Sequence, residues 1–252
     1  MADPLGYRLK LGVVTPSTNT VVQPEYDDMR PNGVTNHVAR IHIPEKPIDG
    51  DAGFAELVEA IDASLDLAVE QVMTCEPNSV VLGVSIEAVW GGGVDAAAGI
   101  ERRLRRRLGS DVTLIHAADA LPAALHAVGI HEGAVGVLTP YMPVAEAHIA
   151  TFLSQAGYSI AGARHLECTS PIGIAETTEG QLREALSELA ASRPRAIVQF
   201  GANLCMTRLA AEAERWLDLP VIAVNAATYW HALRKNGLRD QIYGFGALLA
   251  EH

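Results

Sequence analysis

Short apolar runs alternate with amphipathic stretches along the whole chain. Leu11-Gly12-Val13-Val14-Thr15-Pro16-Ser17 is echoed by Val135-Gly136-Val137-Leu138-Thr139-Pro140-Tyr141, and Val81-Leu82-Gly83-Val84-Ser85-Ile86 by Val198-Gln199-Phe200-Gly201-Ala202-Asn203. Each run reads as a buried strand that ends in a polar or glycine-bearing loop; in the first pair a proline stops it. Two matched pairs in the same order point to two related halves. The pattern predicts strands near 8–15, 36–43, 79–84 and 112–116, then near 133–138, 159–166, 196–200 and 221–224. Helical periodicity covers 54–74, 94–108 and 121–128, then 144–155, 181–191, 208–217 and 226–235, and the tail 244–252 is apolar enough to pack.

Strand–helix alternation at this spacing implies an α/β fold: two Rossmann-like halves, each a parallel sheet covered by helices and related by a pseudo-twofold. Residues 1–119 with 226–252 are expected to form the first half and 120–225 the second. In such sheets ligands sit beyond the carboxyl ends of the strands. The four repeated loops all lie there, so facing halves would bring them to one cleft.

Composition adds exclusions. The 252 residues are 49% hydrophobic but only 5% aromatic, enough for two aliphatic cores of roughly 110–130 residues each. The formal net charge is −11. The one dense cationic run, Arg102 to Arg107, falls at the end of a predicted helix, where it complements the dipole. Neither nucleic acid nor an anionic membrane is an expected partner. Met1–Lys10 lacks the apolar core of a signal peptide, and no run of about 20 apolar residues occurs. Cys75, Cys168 and Cys205 match no disulfide or metal spacing, which suits a reduced, cytoplasmic setting. No zinc or phosphate-loop spacing occurs either; Gly91-Gly92-Gly93 lies too far past its strand and lacks the acidic partner of a dinucleotide site. No metal or cofactor is expected.

Three segments carry a more specific signal: Pro16-Ser17-Thr18-Asn19-Thr20, Leu138-Thr139-Pro140-Tyr141, and Ala223-Val224-Asn225 continuing to Arg234. Together they resemble the aspartate/glutamate racemase superfamily, in its maleate cis–trans isomerase and arylmalonate decarboxylase branch. The resemblance implies a cofactor-free enzyme that binds a small carboxylate between its halves. It also implies a cysteine in each half for proton transfer or addition. Here Val84 and Gly201 fall at those two thiol positions, and Ser170-Pro171 stands where the isomerase has an asparagine. Two-base racemisation and thiol addition therefore lack their groups.

The carboxylate-binding residues are better kept. Asn19 and Tyr141 match the family's asparagine and tyrosine. Ser17, Thr18 and Ser85 add hydroxyls, and the backbone N–H groups of Gly83, Val84 and Ser85 and of Gly201, Ala202 and Asn203 form a further donor set. Such a cluster can stabilise an enediolate or oxyanion. Each residue has a structural alternative: Ser17, Thr18 and Asn19 as caps of the next helix, Ser85 as cap of its own, Tyr141 as a turn residue. For acid/base work the sequence offers Glu87, whose apolar neighbours would raise its pKa. Its alternative is the third position of a capping box. Cys205 and His42 are further candidates, each more simply read as structural.

Three readings follow. A thiol-independent enzyme acting on a small carboxylate, with decarboxylation favoured, uses Glu87, Tyr141 and Ser85. A hydrolase would use Glu87 to activate water against a small amide or cyclic amide. A conventional isomerase or a non-catalytic metabolite-binding relative completes the set. The partner in every case is a small carboxylate or carbonyl compound, and a homo-oligomer is left open.

Overall fold

The structure is a computed structural model that describes residues 3–86, 90, 91 and 93–252. Among these residues the first half contains β1 (Leu9–Pro16), α1 (Val22–Asp28), β2 (Val34–Ile41), α2 (Gly50–Met73), β3 (Ser79–Leu82), α3 (Val94–Leu108) and β4 (Thr113–Ile115). After α4 (Ala117–Ala127) come β5 (Gly133–Thr139), α5 (Ala145–Gln155), β6 (Tyr158–His165), α6 (Glu179–Ala191), β7 (Ile197–Gln199), α7 (Thr207–Leu217) and β8 (Val221–Ala223). The chain ends in α8 (Val224–Lys235) and α9 (Ala247–Glu251).

Two four-stranded parallel sheets form, in the orders β2-β1-β3-β4 and β6-β5-β7-β8. The duplication read from the sequence is thus a duplication of topology. It extends to single hydrogen bonds: Gly83 N–H donates to the Val14 carbonyl at 2.8 Å, and Phe200 N–H to the Leu138 carbonyl at 2.9 Å. The inner strands β1 and β3 are buried almost without interruption, as parallel strands covered on both faces must be. The outer strands β2 and β6 carry the exposed and half-buried positions.

The expected strands and long helices are present, with ends shifted by a few residues. The first-loop expectation of a helix after Asn19 is met by α1, only seven residues long. Its proline, Pro24, sits in the first turn, where a missing N–H costs nothing. Helix α8 follows the last strand of the second sheet yet packs on α4, β3 and β4, and Asn236 just past its end bonds the Ser79 hydroxyl of β3. The arginine run of α3 lies along α2: Arg103 pairs with Asp62 and Asp66, and Arg107 with Asp66 and Glu70. Those cations are committed within the surface, and being partly exposed they add little stability. No described helix is long and apolar enough to cross a membrane.

Candidate active site

The loops after β1, β3, β5 and β7 converge on one cavity of about 60 Å³, room for about four or five waters. Pro16, Thr18 and Asn19 come from the first loop, Gly83 to Ile86 from the second, Tyr141 from the third and Gly201 to Asn203 from the fourth. The sheets supply a frame that the loops alone would lack. Helix α2 adds Phe54, Leu57, Val58 and Ile61, and Ile43, Pro171 and Ile174 complete a largely apolar wall. The sequence did not single out that wall, because α2 reads there as an ordinary core-facing helix.

The polar centre is a hydroxyl pair. Ser85 Oγ and Tyr141 Oη lie 2.8 Å apart across the halves, and both residues are buried. Ser85 Oγ also accepts the Gly201 N–H at 2.9 Å. Thus Ser85, the residue that could have capped a helix, instead joins three of the four loops. Tyr141 is held further by its own N–H, which donates to Thr139 Oγ1 at 2.9 Å, and by its ring, 5.1 Å from that of Phe54.

The backbone donors divide into spent and open ones. Gly83 N–H is committed to Val14 and Gly201 N–H to Ser85, which removes both from the donor set expected from sequence. The N–H groups of Val84, Ser85, Ala202 and Asn203 have no acceptor among the described residues. Thr15 Oγ1 ties down the Gly83 carbonyl, while Gln199 Nε2 donates to the carbonyls of Phe200 and Gly201. Each loop is therefore held by its carbonyls, which fixes the direction of the adjacent amides.

Asn19 is buried and lines the cavity, but its Oδ1 caps α1 by accepting from Val21 and Val22 N–H, leaving its amide nitrogen as the donor. Thr18 lines the cavity without a hydrogen bond to the described residues. Ser17 is exposed and outside the lining; its hydroxyl donates to the Ile43 carbonyl and accepts the Ile43 N–H. Asn203 spends its side chain as a strut, accepting from Thr20 N–H and donating to the Pro171 carbonyl. His42 is exposed, and its neighbour Ile43 faces the cavity. Glu87 lies outside the described residues.

Val84 and Gly201 are the positions that the resemblance assigns to thiols. Val84 is a buried aliphatic side chain. Gly201 has φ +95°, and a side chain there would collide with the Pro140 ring. None of the three cysteines lines the cavity. Cys205 is the nearest in sequence; burial pushes its thiol pKa up, and the adjacent Glu25 pushes it further.

Glu25 is the functional candidate that sequence reading missed. It is buried, and its Oε1 accepts the N–H groups of Met206 and Thr207, each at 3.0 Å. Its Oε2 accepts Asn225 Nδ2 at 2.7 Å. Burial raises its pKa, and these hydrogen bonds oppose that rise. It stands in the run Glu25-Tyr26-Asp27-Asp28, whose composition suggests a solvated helix start. Asn225 was the available signal, since it lies in one of the three segments that carried the resemblance.

A family model described as arylmalonate decarboxylase matches residues 11–249. The chain belongs to the arylmalonate decarboxylase family. The maleate isomerase of Nocardia farcinica (strain IFM 10152) is 27% identical over 251 residues, 96% of each chain. The structure of Nocardia farcinica maleate cis–trans isomerase bound to TRIS superposes with a TM-score of 0.84 at 23% identity, over 96% of this chain and 98% of that one. A double mutant of arylmalonate decarboxylase in its liganded form gives 0.78 at 19% identity, over 97% and 100%. A mutant of the Nocardia isomerase carries a covalently bound succinylcysteine intermediate. The two-half fold and the branch read from the loops both hold, and the family's relatives are lyases and isomerases. This family member differs from that isomerase mutant in presenting no thiol to the cavity among its described residues.

Proposed function

We propose that the chain is a cofactor-independent enzyme that decarboxylates a small malonate-type diacid by hydrogen-bond and acid/base catalysis. One observation carries the reading: the Ser85–Tyr141 hydroxyl pair and four open backbone N–H groups surround a largely apolar cavity that no cysteine lines among the described residues. One substrate carboxylate would take the donors of Val84, Ser85, Ala202 and Asn203, with Thr18 and the Asn19 amide at its edge. The other would lie against Phe54, Leu57 and Ile61, where a charged group is poorly solvated and neutral carbon dioxide is not. As the carbon–carbon bond breaks, its electron pair passes to the retained carboxylate as an enediolate. Preformed donors aimed at such developing charge are typically worth about 2.7–4 kcal/mol each. Glu87, which follows the cavity-lining Ile86 in sequence, then gives a proton to the carbon and regains one from solvent. Loss of a carboxylate needs one proton delivery, whereas racemisation needs two bases. The absence of a cavity thiol supports the former.

Incubation with ¹³C-carboxyl-labelled 2-substituted malonates, maleate and small cyclic amides, followed by NMR, separates the alternatives. Labelled carbon dioxide from a malonate, unaffected by chelator, is the expected result. Fumarate from maleate would replace the reading with isomerisation, and ring opening of an amide would replace it with hydrolysis.

A further inference from the structure

The amide donors of the second half belong to a loop, 200–206, that has no regular structure of its own. What keeps it in place comes largely from elsewhere. Asn225, in the first turn of α8, donates through Nδ2 both to the Ala202 carbonyl at 2.9 Å and to Glu25 Oε2 at 2.7 Å. Glu25, from α1 of the other half, closes the far end of the loop by accepting the N–H groups of Met206 and Thr207 at the start of α7. Met206 supplies no side-chain cap to that helix. A carboxylate at this point answers the unpaired N–H groups and the positive end of the dipole together.

We infer that Glu25 is a positioning residue of the active site: through Asn225 and the α7 N-terminus it holds the 201–206 loop so that the Ala202 and Asn203 N–H groups face the substrate. The inference rests on the functional reading above only for what those amides bind; that Glu25 orders the loop stands on the hydrogen bonds themselves. A carboxylate is needed because both oxygens accept. A glutamine in the same place can still accept from Met206 and Thr207 with its one oxygen, but it turns an N–H₂ toward Asn225, which is itself the donor. Glu25→Gln therefore keeps the helix cap and breaks the link to Ala202, which separates positioning from plain structural support.

The test is residue-resolved amide exchange together with kinetics on the full chain. Gly201 and Leu204 N–H are bonded to Ser85 Oγ and to the Gly201 carbonyl, not to Glu25, so they report the loop. In Glu25→Gln their exchange should rise tenfold or more while Met206 and Thr207 stay protected. Asn225→Ala should reproduce this at Gly201 and Leu204. Turnover of the malonate substrate should fall at least tenfold in kcat with KM little changed, because donors to the developing enediolate are misdirected while the apolar wall is intact. Unchanged exchange at Gly201 and Leu204 in both variants overturns the inference. So does faster exchange with wild-type kcat. If the wild-type chain turns over no malonate, the functional reading fails, and exchange alone decides whether Glu25 orders the loop.

Discussion

The loops after β3 and β7 occupy equivalent places in two sheets of the same order, yet they serve the cavity by different means. The first presents a side chain, the Ser85 hydroxyl. The second presents backbone, because Gly201 has no side chain and that of Asn203 is a strut between Thr20 and Pro171. Duplication conserved the frame and the cleft but not the division of chemistry. Both loops keep backbone N–H groups without an acceptor among the described residues, and the first adds the Ser85 hydroxyl.

The largest expected effect tests that asymmetry directly. Glu87→Gln keeps size and polarity but removes proton transfer, which typically contributes 10²–10⁴-fold. The rate of carbon dioxide release should fall by that range. No side chain of the second loop should cost as much through chemistry. Near wild-type turnover in Glu87→Gln would shift the proton donor to the Ser85–Tyr141 pair.

The second test puts a thiol at each of the two positions that the resemblance assigns to cysteines. At Val84 a cysteine replaces a buried side chain by a smaller one, and Val84→Cys should cost about 1 kcal/mol. At Gly201 the same substitution meets φ +95° and the Pro140 ring. Left-handed strain of about 1–3 kcal/mol adds to overpacking of about 1–3 kcal/mol, so Gly201→Cys should lose roughly 3 kcal/mol or more in urea denaturation. Equal stability of the two variants would mean that the loop relaxes, and that the second half excludes a thiol by history rather than by geometry.

That difference bears on what the sequence could disclose. Buried strands were legible because parallel strands covered on both faces leave uninterrupted apolar runs such as Val13-Val14 and Val80-Val81-Leu82. The cleft was legible because ligand loops follow strand ends. Single-residue duties were less so. Asn19 both caps α1 and lines the cavity, and no pattern separates the two roles. Ser17 stands beside it with the same polarity but bonds the Ile43 backbone outside the cavity. Glu25 escaped because its partners, Met206, Thr207 and Asn225, lie about 180–200 positions away; only tertiary structure brings them together.

A smaller effect concerns the hydroxyl bridge between the loops. Tyr141→Phe keeps the ring against Phe54 and deletes one donor among several, so kcat should fall about tenfold, near 1.4 kcal/mol, less than for Glu87→Gln. A loss equal to that of Glu87→Gln would make the tyrosine, not the glutamate, the proton donor.

The pH dependence of stability set by two buried histidines should separate from that of rate, because neither lines the cavity. His116 and His231 are held below their ordinary value of 6.5, His116 by burial and His231 by burial and then Lys235. Between the folded value and 6.5 the unfolded chain binds more protons. Their stabilisation is thus complete above pH 6.5 and is lost as pH falls from there through the lower folded values. Urea midpoints should drop below pH 6.5, and His231→Phe should flatten that drop while leaving the pH profile of turnover unchanged. A profile that moves with this variant would tie the seam between α4 and α8 to the cleft.

The smallest expected effect is the sharpest check on whether thiol chemistry has moved along the second loop instead of leaving it. Cys205 lies four residues past Gly201, does not line the cavity, and has a thiol pKa raised by burial and by Glu25. A raised pKa leaves little thiolate near neutrality, the reverse of what a nucleophile or proton carrier of this kind needs. Cys205→Ser keeps a hydroxyl of similar size beside Glu25, so the fold and most of the rate should survive. A hundredfold loss, about 2.7 kcal/mol of barrier, with unchanged amide exchange at Gly201 and Leu204, would mark Cys205 as a relocated catalytic thiol. The two loops would then be alike in chemistry after all, and the asymmetry between them would be one of position alone.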